Sequence, residues 1–189
     1  MGGQKIGEMS VEDYLAEEAA SEVKHEYLAG LVYAMSGASR VHNAIAGNIY
    51  LYLHEALRGG PCEAFMSDVR ARITSPATGE VYYYPDVVVT CDLDDNHSHH
   101  LERPTVIFEV LSETTERVDR REKRLCYQHT PSLQHYVLIS QNEPKVEILT
   151  LGSEVKEDSV EALDNTLNLP ALDLDIPLSR IYEGIFPEA

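Results

Sequence analysis

Two short and almost wholly apolar segments constrain the fold of this chain more than any other feature. They span residues 84–89 and 105–111 and consist mainly of aliphatic and aromatic residues. Such runs are typical of β-strands that other layers cover on both faces. Because helical patterns precede and follow them, the predicted class is α/β with mixed α+β character, a central mixed β-sheet flanked by helices.

Helix and strand signals alternate along the N-terminal half. Ser10, followed by acidic residues at 12 and 13, predicts the N-cap of a helix that extends to about residue 23. Ala29-Gly30 lies between two apolar segments and predicts a β-hairpin. Apolar residues at helical spacing predict a second helix over 42–57, which the following Gly59-Gly60-Pro61 ends.

The remaining patterns complete one domain. Further strands are predicted at 62–66, 69–73, 135–139 and 145–149, with turns at 75–79 and 142–144. A charged helix is predicted over 115–129, ending before Pro131, and a short amphipathic segment over 178–185. Since no repeat or low-complexity linker interrupts the chain, residues 1–189 are predicted to form a single domain.

Charge and cysteine usage limit the classes of protein that fit. A formal net charge of -17 argues against a general nucleic-acid coat protein but leaves divalent-cation binding open. No apolar run reaches the roughly 18 residues of a membrane span, so no membrane partner is predicted. Cys62, Cys91 and Cys126 form no CxxC pair, and any disulfide scheme leaves one over. This pattern favours reduced thiols and a cytoplasmic location.

Glu109 is the residue that most strongly suggests chemistry, because it lies inside the second apolar segment. Burial of an unpaired carboxylate costs several kcal/mol, a large share of a net stability of ~5–15 kcal/mol. Asp86 directly precedes Val87-Val88-Val89 in the first segment. If the two strands pair antiparallel, the two acids meet at one sheet edge. Two adjacent carboxylates favour a divalent ion such as Mg²⁺ or Mn²⁺.

Each acid also has a purely structural interpretation. Asp86 alone fits a strand-end cap, and Glu109 alone fits an ion pair with a buried arginine. A nearby basic segment favours the functional interpretation, since 5 of the 15 Lys and Arg residues fall within eight positions, at Arg117, Arg120, Arg121, Lys123 and Arg124.

Several motifs, taken in order, resemble one known family. They are Pro85-Asp86, Phe108-Glu109-Val110-Leu111-Ser112, Asp119-Arg120-Arg121-Glu122-Lys123 and Tyr127. Their order and spacing resemble the Uma2 family, also called DUF820, which has the restriction-endonuclease-like PD-(D/E)xK nuclease fold. The similarity extends from the N-terminal helix to Leu149.

The chain departs from the usual motif at one position. The motif places a lysine two residues after the glutamate, where this chain has Leu111. The resemblance implies that Lys123 takes that role from the following helix. Asp119, Lys123 and Tyr127 are spaced four apart and share one helix face. Periodicity alone favours a solvated lysine on an exposed charged face, whereas the resemblance favours a lysine in the site.

The resemblance implies an Mg²⁺-dependent endonuclease that hydrolyses phosphodiester bonds in DNA, with Asp86, Glu109 and Lys123 as catalytic residues. Asp86, Glu109 and the Val110 carbonyl are expected to hold Mg²⁺ or Mn²⁺, which activates water and stabilises charge on the phosphate. Lys123 is expected to orient or deprotonate that water or to neutralise the phosphate. Expected phosphate-binding residues are Arg117, Arg120, Arg121 and Arg124.

Three further residues are accessory candidates by the same resemblance: Glu26, His42 and Tyr127. Glu26 fits a hairpin-edge charge equally well, and a lone histidine on a helix is usually structural. In the loop that follows the first apolar segment, Asp92, Asp94 and Asn96 match the start of an EF-hand loop. His97 and Arg103 occupy the positions that require Gly and Glu, so no calcium site is predicted there. The cluster His97-Ser98-His99-His100 has two interpretations, adventitious binding of a transition metal and a solvated loop, and the solvated loop is favoured.

Two alternative functions remain open from the sequence. One is a non-catalytic nuclease fold kept as a nucleic-acid- or protein-binding module, which suits the negative charge. The other is a metal-dependent hydrolase of a small phosphate ester. A homodimer is a further expectation, with the edge strands near the C-terminus as the contact.

Overall fold

A computed structural model describes residues 5–75 and 79–187. Within them the strands, in chain order, are β1 (Lys5–Glu8), β2 (His25–Leu28), β3 (Leu31–Ala34), β4 (Glu63–Met66), β5 (Arg70–Ser75), β6 (Gly79–Tyr83), β7 (Val87–Thr90), β8 (His100–Leu101), β9 (Val106–Val110), β10 (His135–Ile139), β11 (Lys145–Thr150), β12 (Lys156–Glu161), β13 (Thr166–Leu169) and β14 (Leu174–Pro177). The helices are α1 (Val11–Ala20), α2 (Arg40–Ala56), α3 and α4 (Leu178–Ile181). Helix α3 consists of three consecutive segments, Glu116–Val118, Asp119–Lys123 and Arg124–Tyr127.

The central sheet contains both apolar segments noted in the sequence. Its strand order is β12-β11-β10-β9-β7-β4. Strands β9 and β10 are parallel, and the other neighbours are antiparallel. All residues of β7, β9 and β10 are buried, as the continuous apolar pattern predicts. The predicted fold class, mixed α and β with a central mixed sheet, is confirmed.

A second six-stranded sheet packs against one face of the central sheet. Its order is β1-β3-β2-β6-β5-β8, with only the β5–β8 pair parallel among those described. Residues of α3, of this sheet and of the central sheet share one apolar core, in which Ile107 of β9 lies with Val81 and Tyr127. Helix α3 and the second sheet therefore cover the same face of β9.

Helix α2 and the C-terminal segments cover the opposite face. Ile45, Ile49 and Leu53 follow one another at four-residue spacing on α2 and are fully buried. They belong to a core that also contains Phe108 of β9 and Ile176 of β14. Strand β9 is thus enclosed by protein on both sides, so that any polar side chain in it is removed from solvent.

The local signals of the N-terminal half are confirmed with small changes in length. The Ser10 side chain accepts a hydrogen bond from the Asp13 amide and caps α1, which ends at Ala20 instead of about residue 23. It ends early because Ser21 is extended and its hydroxyl bonds the backbone of Val23. In the predicted hairpin, Ala29 and Gly30 both adopt positive φ, the geometry of a tight two-residue turn.

Several strands have no clear counterpart in the sequence patterns. The last strand of the central sheet, β12, is almost entirely exposed and carries the charged sequence Lys-Glu-Asp-Ser-Val-Glu. Backbone hydrogen bonds to β11 stabilise β12. Because these bonds do not require apolar side chains, the sequence shows no alternating apolar pattern at this strand. Strands β6, β8, β13 and β14 were likewise not predicted. Of the turn predicted over 75–79, residues 76–78 lie outside the described residues.

The predicted charged helix is present but is not regular. Its middle segment, Asp119–Lys123, is a π-helical turn, and both end residues of that turn are buried. Wide turns of this kind occur often at functional sites. Among the described residues, no helix combines the length and apolar character needed to cross a bilayer.

The expectation of reduced thiols at Cys62 and Cys91 is wrong, because the two residues form a disulfide. They lie just outside paired strands: β4 pairs with β7 so that Glu63 is opposite Thr90, and the next pair in this register is Cys62 and Cys91. Because the two cysteines are 29 positions apart in the sequence, no local pattern indicates that they lie close together. Cys126 is buried elsewhere, against the hydroxyl of Tyr83.

Reduction of this disulfide is predicted to lower the free energy of unfolding by about 3 kcal/mol, because it releases a closed loop of 29 residues in the unfolded chain. Chemical denaturation with and without reductant measures the difference. A Cys62→Ser/Cys91→Ser variant should not respond to reductant. Three alkylatable thiols in the denatured, non-reduced protein would contradict the prediction.

Candidate active site

Asp86 and Glu109 lie side by side at one edge of the central sheet. Strands β7 and β9 are antiparallel with Val87 opposite Phe108, so the next pair in register is Asp86 and Glu109. The Val110 amide donates a hydrogen bond to Asp86 Oδ2 over 2.7 Å. The antiparallel pairing on which the sequence prediction depended is therefore confirmed.

Helix α3 brings Lys123 to the same place. Its Nζ lies 2.9 Å from Glu109 Oε1, 3.3 Å from Glu26 Oε1 and 3.4 Å from Asp119 Oδ1. Only 6% of Lys123 is exposed, so it is not a solvated lysine on an outer face. The alternative that Glu109 pairs with a buried arginine is also wrong, since its cationic partner is Lys123.

Glu26 reaches the site from the second sheet. It is 9% exposed, and its carboxylate accepts a hydrogen bond from the Tyr84 amide over 3.3 Å. It is therefore a buried acid of the cluster and not an edge charge of the hairpin. The second sheet, the central sheet and helix α3 each contribute one carboxylate to Lys123.

His42 and Tyr127 complete the surroundings of the two strand acids. His42 Nε2 lies 2.8 Å from Asp86 Oδ1, close to the start of helix α2. The Tyr127 hydroxyl donates to Glu109 Oε1 over 3.4 Å. Both residues were predicted only as accessory members of the site, and both contact one of its two strand acids.

Asp119 is a site residue that the sequence analysis did not single out. It is 1% exposed and belongs to the π-helical turn of α3. Its spacing of four residues before Lys123 was the available signal, but such spacing is equally typical of an exposed ion pair. Only the packing of α3 against the sheets shows that this pair is buried.

The cluster opens into a cavity of about 440 Å³. Acidic side chains line its floor, at Glu26, Asp86, Glu109 and Asp119. Residues of the segment between β3 and α2 and of the segment between β9 and α3 line its sides, among them Ser39 and Ser112. This volume lies within the range of pockets that take small molecules or single groups of a larger substrate.

Burial and the neighbouring charges change the pKa values of Glu109 and Lys123. Burial raises the pKa of Glu109 well above its ordinary value, and Asp119 and Asp86 add to this effect while Lys123 opposes it. Burial alone would lower the pKa of Lys123, but the carboxylates of Glu109, Glu26 and Asp119 outweigh burial and raise it. Glu109 and Lys123 therefore both hold their protons more tightly than the isolated groups do.

The donor set fits a hard divalent cation. Asp86 and Glu109 present adjacent carboxylates, and no hydrogen bond reaches the buried Asp119 Oδ1 from the part of the chain that the structure describes. One ammonium does not neutralise four carboxylates. Oxygen ligands of this kind suit Mg²⁺ or Mn²⁺ better than softer metals.

The four arginines of α3 lie outside the acid cluster. Arg120 makes a bidentate ion pair with Glu147, at 2.5 and 2.9 Å, and a further contact with Glu116. Arg124 pairs with Glu157. Arg117 and Arg121 are exposed. The contact of these arginines with phosphates stays a prediction. Arg120 and Arg124 would have to leave their glutamate partners in order to bind a phosphate.

Comparison with known proteins agrees with this arrangement of sheets and helices. The Uma2 family model, described as "Putative restriction endonuclease", matches residues 11–179. Protein slr1290 of Synechocystis sp. is 34% identical over 184 residues, which cover 94% of this chain and 93% of that protein. Protein sll1609 of the same organism is 33% identical over 136 residues, covering 70% of this chain and 75% of the relative.

A solved structure supports the fold independently. The crystal structure of "a putative nuclease belonging to DUF820" from Anabaena variabilis superposes with a TM-score of 0.70 and covers 88% of this chain and 93% of that one. The sequences are 17% identical. At that identity the similarity establishes the shared fold.

The raised pKa of Glu109 predicts how stability depends on pH in metal-free protein. Between pH 4.5, the ordinary pKa of a glutamate carboxyl, and the raised pKa of Glu109, the folded protein keeps a proton on Glu109 that the unfolded chain has lost. The free energy of unfolding therefore falls as pH rises from that value through the raised pKa, by up to about 1.4 kcal/mol per pH unit.

Chemical denaturation at a series of pH values tests this pH dependence of the free energy of unfolding. The Glu109→Gln variant is expected to lose the part of the dependence that Glu109 causes. Glu161→Gln, at an exposed acid on β12, is the matched control and should keep it. An identical pH slope in wild type and Glu109→Gln would contradict the prediction.

Proposed function

The chain belongs to the Uma2 family, and from that premise we propose that it is an Mg²⁺-dependent endonuclease of the PD-(D/E)xK type that hydrolyses phosphodiester bonds in DNA. The single observation that supports this most strongly is the cluster of three buried carboxylates, the partly buried Asp86 and one buried lysine at the edge of the central sheet. A cluster with this charge excess destabilises the fold without a cation, so its retention is easier to explain by function than by stability.

Asp86 and Glu109 are the proposed metal ligands, with the Val110 carbonyl beside them. The Val110 amide and His42 each hold one oxygen of Asp86, at 2.7 and 2.8 Å. Each carboxylate oxygen accepts more than one contact, so both keep a free lone pair for an ion. When bound, Mg²⁺ lowers the pKa of a coordinated water and stabilises negative charge on the scissile phosphate.

Lys123 is the proposed partner of the attacking water or of the phosphate. Its ammonium contacts Glu109 at 2.9 Å, next to the position proposed for the ion. In the metal-free cluster Lys123 neutralises part of the carboxylate charge. With a divalent ion held by Asp86 and Glu109, the Lys123 ammonium would be available to hold a phosphate oxygen or to orient a water.

His42 and Glu26 are proposed as positioning residues. His42 fixes the rotamer of Asp86 through its Nε2 contact. Glu26 holds Lys123 from the second sheet at 3.3 Å. Groups that orient ligands and amines in this way commonly affect metal affinity about 10- to 100-fold.

DNA is the proposed partner despite the acidic composition. Arg117 and Arg121 are exposed on α3 and are the arginines of that helix best placed to meet phosphates. The net charge of -17 predicts weak binding that depends on the bound cation, and contacts from only two arginines predict a shallow fall of affinity with salt.

The proposal further treats residues 1–189 as one domain. A cytoplasmic location stays a prediction, and the Cys62–Cys91 disulfide removes the argument from reduced thiols that favoured it. A homodimer stays a prediction. The described edge strand near the C-terminus, β12, carries mostly charged residues, and such edges resist pairing with another strand.

Cleavage assays on plasmid and single-stranded DNA with Mg²⁺ or Mn²⁺ test the proposal. Glu109→Gln and Lys123→Met are expected to lower the rate by about 100-fold or more, the scale of a single electrostatic contributor to transition-state stabilisation. Chelation of the metal should abolish cleavage in all variants.

Glu161→Gln and Lys156→Met, at exposed positions of β12, are the matched controls and should cleave at the wild-type rate. Equal activity of Glu109→Gln and wild type would refute the assignment of the site. Metal-independent DNA or protein binding without cleavage would favour a non-catalytic module. Turnover of a small phosphate ester alone would favour a different hydrolase.

A further inference from the structure

A second group of metal-binding side chains lies outside the acid cluster, next to the edge strand β8 of the second sheet. His97 precedes this strand, His100 begins it and Glu102 follows it. Single ligand atoms of the three residues all lie within 4.8 Å of one another. The two imidazole rings are stacked, with their centroids 4.5 Å apart.

Both imidazoles direct a nitrogen towards the same carboxylate. His97 Nε2 lies 3.5 Å from Glu102 Oε2, and His100 Nε2 lies 3.8 Å from Glu102 Oε1. Bonds of about 2.1 Å at tetrahedral angles place ligand atoms about 3.4 Å apart. The three side chains therefore need only small movements to share one ion.

His100 Nε2 is a buried polar atom that no hydrogen bond reaches from the residues that the structure describes. Its position is constrained by the surrounding structure. Strand β8 pairs in parallel with β5 so that Arg70 is opposite His100, and the ring of Tyr82 packs edge-on against the imidazole at 5.6 Å. A buried nitrogen without a partner costs free energy that a metal bond would recover.

The loop that carries His97 is also held in place. Both carboxylate oxygens of Asp95 accept hydrogen bonds from the Glu102 amide, and Oδ2 accepts one from the Arg103 amide, at 2.7 to 3.0 Å. Asp95 itself is 9% exposed. This local fold places His97 over Glu102. The three candidate ligands are therefore held close together by the hydrogen bonds of the loop.

We propose that His97, His100 and Glu102 form a second cation site, selective for a borderline transition metal such as Zn²⁺. Two imidazole nitrogens and one carboxylate are a common zinc ligand set, which leaves a fourth position for water. Imidazole ligands favour Zn²⁺, Ni²⁺ or Cu²⁺ over Mg²⁺. The site thus differs in metal preference from the all-oxygen cluster at Asp86 and Glu109, and it does not depend on the proposed nuclease activity.

Arg72 supports Glu102 in this role and does not replace the metal. It contacts Glu102 Oε1 through one nitrogen, and its Nε donates to Glu80 Oε1 over 2.8 Å. The guanidinium charge is therefore shared between two carboxylates. Glu102 Oε2, which lies nearest to His97, remains available to an ion.

The bound metal would join the 92–99 loop to the second sheet. Without it, the exposed His97 ring contacts Glu102 at 3.5 Å and stacks on the His100 ring. Zn²⁺ should consequently raise the thermal stability of the protein, and the stabilisation should grow with the logarithm of the free Zn²⁺ concentration above the dissociation constant.

Isothermal titration of tag-free protein with ZnCl₂, in excess Mg²⁺ to occupy the acid cluster, tests the proposal. Wild type is expected to bind one Zn²⁺ at this site. His97→Ala and His100→Ala should each lose about 10-fold or more in affinity, at least the effect of removing a residue that only supports a ligand. Their thermal stabilisation by Zn²⁺ should disappear as well.

His99→Ala is the matched control. His99 is exposed in the same loop, and it supplies only its backbone carbonyl to Arg70, which alanine retains. It should bind Zn²⁺ as wild type does. Wild-type affinity in both His97→Ala and His100→Ala, or an equal loss in His99→Ala, would overturn the proposal. The melting temperature of each variant without Zn²⁺ verifies that it is folded.

Discussion

The structure depends on the cost of placing Glu109 in a strand that protein covers on both faces. That carboxylate is 4% exposed, and it is stabilised there by the Lys123 ammonium 2.9 Å away and by a hydrogen bond from the Tyr127 hydroxyl. The compensation is incomplete, since Glu26 and Asp119 contact the same ammonium and Asp86 lies beside Glu109, which leaves the cluster negative. A fold selected for stability alone would place an apolar residue at this position. The charge excess is therefore the physical basis for proposing a bound cation.

Each layer of the fold contributes to this cluster. The antiparallel register of β7 and β9 sets Asp86 beside Glu109. The second sheet supplies Glu26, and the π-helical turn of α3 buries both Asp119 and Lys123. Because these groups come from separate layers, their geometry is fixed by the packing of the whole domain. The role proposed for Lys123 therefore depends on the packing of a helix against the sheets, whereas the usual motif places its lysine on the strand itself.

The sequence predicted what depends on local patterns and missed what depends on tertiary contacts. The central strands, the α1 cap and the hairpin at Ala29-Gly30 follow from short-range preferences. The proximity of Asp86 and Glu109 followed from one assumption about strand direction. Asp119, the Cys62–Cys91 disulfide and the charged strand β12 were not predicted, because each is set by a partner distant in sequence. The sequence favours a solvated histidine loop over adventitious metal binding, since no local pattern indicates that Asp95 folds the loop back over Glu102.

The central claim is that the acid cluster holds a divalent ion between its two strand carboxylates. A crystal structure of protein soaked with Mn²⁺, with an anomalous difference map, tests this most directly. The account predicts a peak about 2.0–2.2 Å from oxygens of both Asp86 and Glu109, with the Lys123 ammonium displaced from Glu109 towards the cavity. An unchanged Lys123–Glu109 ion pair, with no anomalous peak in the cavity at saturating Mn²⁺, would contradict it.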